Sequence, residues 1–230
     1  MDKQIYTTAY YSLFIQFILA IICTLGTFIK TNDSDSILHE VLILETIVQF
    51  IEFSFYIWLL TTFSQIKTNV SSIRYIDWFI TTPTMLFSLI CFMIYYNNSH
   101  NNIPTDHLSI KNIYNTNSSS INNIFIFNAV MLLTGLLGEI NIINKLTALF
   151  LGTLSLFISF YLIYMNFVGD TLLNKSIFWF NFTLWSFYGI GYMLNNTNKN
   201  ITYNILDIFA KNINGIMILF YILYMKYLNK

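Results

Sequence analysis

The sequence predicts an all-α membrane protein, a bundle of seven transmembrane helices, and three observations carry that reading. Of its 230 residues 56% are apolar and 10% are charged, where a soluble domain carries about a quarter charged. Seven apolar stretches, at 6–29, 37–63, 73–96, 121–140, 146–168, 177–194 and 201–227, are each long enough to cross a hydrocarbon core about 30 Å thick as a helix. Most polar links between them are short, at 30–36, 64–72, 141–145, 169–175 and 195–200. Short links favour antiparallel neighbours and one domain spanning residues 1–230.

The same composition excludes other classes. Eleven basic and eleven acidic residues give zero formal charge, so no basic surface for nucleic acid is expected. Cys23 and Cys91 lie inside apolar stretches and read as buried thiols, with no disulfide framework and no metal spacing. Residues 1–4 lead straight into a full-length apolar run without a cleavage site, so no removed signal peptide is expected. Matches to Asn-x-Ser/Thr at Asn69 and Asn200 follow from the abundance of asparagine and are discounted. The segment 97–122, rich in Asn and Ser and containing His100 and His107, is too polar to span and is expected to form a mobile loop. Seven spans place the termini on opposite sides, and the Lys/Arg distribution does not choose between them.

The first segment carries Ser12, which can face the second. There Glu45, Gln49, Glu52 and Tyr56 recur at steps of four, three and four, one face of a helix. Carboxylates on a spanning helix should look inward; Glu45, nearer the end, has the alternative of snorkelling to the interface. The third segment reads Arg74-Tyr-Ile-Asp77-Trp78-Phe-Ile-Thr81-Thr82-Pro83. Arg74, Asp77, Thr81 and Ser88 share a face, so Arg74 can pair with Asp77. Pro83 removes a backbone bond mid-helix, and threonine hydroxyls can satisfy freed carbonyls.

The fourth segment contains Met131, Gly135 and Gly138 before Glu139; small residues there allow close helix packing or a flat ligand. Trp185, Tyr188 and Tyr192 form an aromatic row in the middle of the sixth, suited to a pocket wall. The seventh holds Asp207 and Lys211, four residues apart and on one face. Ionisable groups at membrane depth cost about 2.5–3.5 kcal/mol each on insertion scales, so they mark a site. A buried lysine is also the nucleophile that captures an aldehyde as a Schiff base. Arg74 and Lys211 together balance Asp77 and Asp207, which argues that segments three and seven meet.

Arg74-Tyr-x-Asp77-Trp78-x-x-Thr81-Thr82-Pro83, Trp185-x-x-Tyr188 and Asp207-x-x-x-Lys211, in that order over seven spans, make the sequence resemble the microbial rhodopsins along nearly its whole length. The resemblance implies all-trans retinal bound to Lys211 as a protonated Schiff base. It makes Asp77 the principal counterion and proton acceptor, Asp207 the second counterion, and Arg74 the closure of the extracellular side. Trp78, Thr82, Met85, Met131, Gly135, Trp185, Tyr188, Tyr192 and Ala210 would contact the retinal. The N-terminus would be extracellular and the C-terminus cytoplasmic, in a homo-oligomer (trimer or pentamer) embedded in the lipid bilayer.

Departures from the family pattern bear on function. The code Asp77, Thr81, Ser88 ends in a hydroxyl where proton pumps commonly carry an acid, and a serine cannot serve as proton donor at neutral pH. Gly189 replaces a usual proline and Tyr192 a usual tryptophan. Residues 195–200 lack the carboxylates that help release protons in archaeal pumps. Thr82 and Asn128 occupy the pair that gates channelrhodopsins. With an acidic second helix, the chain looks most like the viral rhodopsins of giant algal viruses. That similarity implies a light-gated cation channel whose path uses Ser12, Glu45, Gln49, Glu52, Asn212 and Asn214. An outward proton pump and a sensory photoreceptor are the alternatives, and no enzyme is expected.

Overall fold

A computed structural model describes residues 3–64 and 70–227. Asn69 and most of the 64–72 link lie outside them. The described chain forms α1 (Lys3–Gly26), α2 (Ser36–Thr62), α3 (Val70–His100), α4 (Ile110–Glu139), α5 (Lys145–Ile163), α6 (Leu172–Met193), α7 (Asn196–Ala210) and α8 (Ile213–Tyr227). Helices α7 and α8 follow end to end and together make the seventh span, 196–227. The architecture is the expected all-α seven-helix bundle, and the chain is a multi-pass membrane protein.

Its surface is the inverse of a soluble protein's. Phe14, Ile76, Phe150, Leu172 and Phe220 are exposed, while Arg74, Glu45, Glu52, Asp207 and Lys211 are buried. Lipid solvates apolar side chains without cost, whereas charges must find partners inside. Six described stretches are long and apolar enough to cross a membrane. The 22-residue α6 is less apolar because Asn174, Lys175 and Asn181 lie in it. Both asparagines bond inside the bundle: Asn174 donates to the carbonyls of Met93 (3.0 Å) and Val168 (3.2 Å), and Asn181 to the Ile177 carbonyl (2.9 Å).

The segment 97–122 is not a loop. Helix α3 runs on to His100 and α4 starts at Ile110, with Ser109 as its cap accepting from the Asn112 amide at 3.2 Å. Hidden in the Asn/Ser run, Ile113, Ile121 and Ile124 are buried on one face of α4 and join the core. That helical period outweighs the polar composition. Asn117 alone leaves helical geometry. The remaining turn is tied down by Thr105, donating to the Ser34 carbonyl at 2.7 Å, and by Glu40, accepting from the Ile110 amide at 2.8 Å.

Beyond α5 a π-helical turn, Tyr164–Val168, ends at Gly169. Its φ of +64° suits glycine, and a Cβ there would sit 2.8 Å from the Asn97 amide. In α3, Pro83 leaves the Phe79 carbonyl without its helical donor. Thr81, Thr82 and Thr84 bond instead to the carbonyls of Asp77 (3.0 Å), Trp78 (2.8 Å) and Ile80 (3.0 Å), on either side of it. The seventh span breaks at Lys211–Asn212. The Asn212 backbone amide reaches only Phe209 at 3.4 Å, and its side chain caps the Ile208 carbonyl at 2.8 Å. An asparagine amide competing with the ladder accounts for the interruption.

Candidate functional site

Lys211 sits at that break, and its Nζ makes ion pairs with Asp77 of α3 and Glu52 of α2. The second acid at the lysine is thus Glu52, whereas the sequence pointed to Asp207. Asp207 lies one turn away and is engaged elsewhere. It accepts from Arg74 Nη1 at 3.0 Å, Tyr56 at 2.9 Å and Tyr188 at 2.8 Å. Arg74 accordingly pairs across helices with Asp207, not with Asp77 on its own helix. The seventh span offers it Asp207 and Asn204 together, satisfying more of the guanidinium's five donors than Asp77 alone would. The lysine side chain meanwhile meets Glu52 of α2 and Asp77 of α3.

Around Arg74 the network continues through Asn204, which donates to Thr8 at 2.7 Å and to the Ile5 carbonyl at 3.3 Å. Around Glu52 it continues through Gln16, whose amide donates to Glu52 Oε1 at 3.2 Å and accepts from Asn212 at 3.3 Å. Ser12 accepts from the Gln16 amide at 3.5 Å. Gln49 donates to Cys23 Sγ at 3.3 Å. Glu45 does not snorkel: it is fully buried and accepts from the Ser88 hydroxyl. Tyr56, Glu52, Gln49 and Glu45 therefore line one buried polar column along α2, facing α1, α3 and the seventh span.

Asn214 is not part of that column. It exchanges two 3.2 Å hydrogen bonds with Asn181 of α6. Two residues on from Asn212, it points about 200° away around the helix. Thr82 and Asn128, the expected gate pair, are joined by a 2.8 Å bond from the Asn128 amide.

Lys211 also reaches into a cavity between α3, α4, α5, α6 and α7. Trp78, Thr82, Met85, Met131, Gly135, Trp185, Tyr188, Tyr192 and Ala210 all line it. Tyr75, Gly152, Leu156, Gly189 and Tyr203 line it as well. A Cβ on Gly135 would come within 2.6 Å of the Tyr75 hydroxyl, so the ring of Tyr75 demands glycine there. Trp78 meets Tyr188 and Tyr203 edge-on, with centroids 5.4 and 5.2 Å apart. An apolar, aromatic-walled cavity with one primary amine at its end fits an amphiphilic polyene aldehyde. Asp77 Oδ1, buried and without a protein hydrogen-bond partner, lies on the carboxylate that the same amine contacts.

Sequence reasoning missed Gln16, Asn204, Tyr75 and Tyr203. Gln16 four residues after Ser12, and Asn204 three before Asp207, extend polar faces already noted. It also missed that Glu139, ending α4, pairs with Lys199 of α7, both buried. No spacing rule links residues sixty positions apart. Glu139→Gln alone should destabilise the protein by about 3–5 kcal/mol, because Lys199 is left buried and uncompensated. Glu139→Leu combined with Lys199→Met should recover most of that loss. Thermal unfolding of the detergent-solubilised protein checks both.

Among known proteins, the family model described as bacteriorhodopsin-like protein matches residues 7–225. The fold is similar to the crystal structure of viral rhodopsin OLPVRII, with a TM-score of 0.80 and 26% identity over 96% of this chain and 98% of that one. It is also similar to the proton-pumping rhodopsin AR2 from the marine alga Acetabularia acetabulum, with a TM-score of 0.75 and 18% identity over 100% and 98% of the two chains. The blue light-absorbing proteorhodopsin from Med12 gives a TM-score of 0.74 and 19% identity over 96% and 98%. These last two likenesses speak for the fold alone. No curated protein sequence gives a significant match. With the family's pattern matched over nearly its whole length, the chain belongs to the bacteriorhodopsin-like family, the microbial rhodopsins.

Proposed function

We propose that the protein binds all-trans retinal through Lys211 and conducts cations in the light. The observation that carries this reading is the buried polar column on α2, because one of its members, Glu52, is itself bound to Lys211. When bound, retinal supplies visible-light absorption and an isomerisation that displaces the charge at the lysine nitrogen. The protein's part is to hold and then move a proton there. Asp77, whose Oδ2 meets the Lys211 nitrogen and whose Oδ1 has no protein partner, receives the proton from that nitrogen.

Lys211 and Arg74 face three carboxyl groups, Glu52, Asp77 and Asp207, so one proton shared by Glu52 and Asp77 neutralises the dark cluster. Moving a further proton onto Asp77 leaves the lysine uncharged and removes the attraction that holds Glu52 against it. Glu52 is then free to take part in a hydrated path with Gln16, Gln49 and Glu45. Carboxylates and amides in such a path replace part of an ion's hydration shell. We place the N-terminus outside and the C-terminus in the cytoplasm, which sets Arg74 on the extracellular side and Glu45 on the cytoplasmic side.

Voltage-clamped cells expressing the protein should give a photocurrent whose reversal potential follows the cation gradients. A photocurrent that stays outward at every voltage and gradient would replace this reading with the second one, an outward proton pump. The bond between Ser88 and Glu45 favours that alternative, since it sets a carboxyl group where the serine itself cannot donate.

A further inference from the structure

The polar column does not cross the protein. On α2 the buried positions from Glu45 towards Ser36 are Leu42, Val41, Leu38 and Ile37, all fully buried. Opposite them α8 presents Ile218, Leu219 and Ile222, and α3 presents Leu89 and Ile90. On α3 the next buried polar side chain of ordinary hydrogen-bonding strength after Ser88 is Tyr95, which donates to Asp35 at 2.6 Å. Seven residues of helix separate the two, roughly 10 Å of rise.

Against Leu42 and Leu219 stands the last residue of α1. This is Gly26, where a Cβ would lie 2.5 Å from Leu219 Cδ1 and 3.2 Å from Leu42 Cδ2. The tip of Leu219 thus occupies the space that any other residue at 26 would need. One turn back on α1, Cys23 Sγ accepts from Gln49 and belongs to the polar side.

We infer that Leu42 and Leu219, seated on Gly26, form the apolar plug that blocks the column in the dark, and that α8 withdraws Leu219 from it in the light. The inference rests on the column being an ion path. An apolar constriction blocks ions by excluding the water they must carry. Helix α8 starts two residues beyond Lys211, so a displacement at the lysine is passed along a rigid helix to Leu219.

Cys23 is a built-in reporter behind the plug, because the chain has only one other cysteine, Cys91, also buried. In a Cys91→Ala background, the rate at which a charged methanethiosulfonate reagent modifies Cys23 is followed by mass spectrometry, in darkness and in light, with and without added retinal. The expected dark rate is low and rises on illumination of the retinal-loaded protein. Leu219→Asn should raise the dark rate about ten- to a hundredfold, the change in opening equilibrium that losing one buried leucine implies. Gly26→Ala, a smaller perturbation for the case where Leu219→Asn does not fold, should act in the same direction by pushing the leucine tip aside. Fast dark labelling of the parent, a rate unmoved by light, or a dark rate unchanged by the variants that fold overturns the plug. The voltage clamp separates the two failures. A conducting parent with unaltered labelling in the variants rejects the plug alone, and a parent without passive photocurrent rejects the ion path whatever the labelling shows.

Discussion

Lys211→Ala protein supplied with all-trans retinal develops no visible absorption band, while the wild type does. Lys211 is the amine that lines the aromatic cavity. Among the described residues the other buried lysine, Lys199, is held by Glu139 and is no substitute. A covalent link through nitrogen has no replacement in alanine, so the effect is complete rather than graded. The variant also carries a cost in stability, because Glu52 and Asp77 are left facing one another without their cation. Breaking a buried ion pair in this way costs about 3–5 kcal/mol. Adding Glu52→Gln to Lys211→Ala should therefore raise the melting temperature of the retinal-free protein. Absorption spectra and thermal melts separate the two effects, and a visible band in Lys211→Ala would end the retinal reading.

Asp77→Asn should slow the light-driven transfer of the proton from the Lys211 nitrogen by about 10²–10⁴-fold, the usual contribution of a positioned acid or base. The choice between two carboxylates at the same amine rests on their remaining oxygens. Glu52 Oε1 is already bonded by Gln16, whereas Asp77 Oδ1 has no protein partner and can take a proton without breaking a bond. Glu52→Gln should have a smaller effect on that step, and the double variant should abolish it. Flash absorption spectroscopy reads the rate. Unchanged kinetics in Asp77→Asn with loss of transfer in Glu52→Gln would exchange the two roles.

Much of the site was legible before any coordinates. The stripe Glu45, Gln49, Glu52, Tyr56 could be picked out because helical period is a property of neighbouring residues, whereas the pocket residues from Trp78 to Tyr192 followed as a set from the resemblance to the microbial rhodopsins. The segment 97–122 was misjudged because its many asparagines and serines mask isoleucines at helical spacing, and a helix end may be polar if one face is covered. Asn214 was grouped with Asn212 by proximity in sequence, which on a helix puts the two on nearly opposite faces.

By itself the sequence determined seven spans, the amine at Lys211 and a set of buried charges, since insertion into lipid reads length and hydropathy one segment at a time. Only the tertiary structure decided which charge meets which. Lys211 joins Asp77 and Glu52, Arg74 joins Asp207, and Lys199 joins Glu139. A Coulomb attraction depends on the distance between helices and on the reach of each side chain, and neither quantity is written along a single strand of the chain.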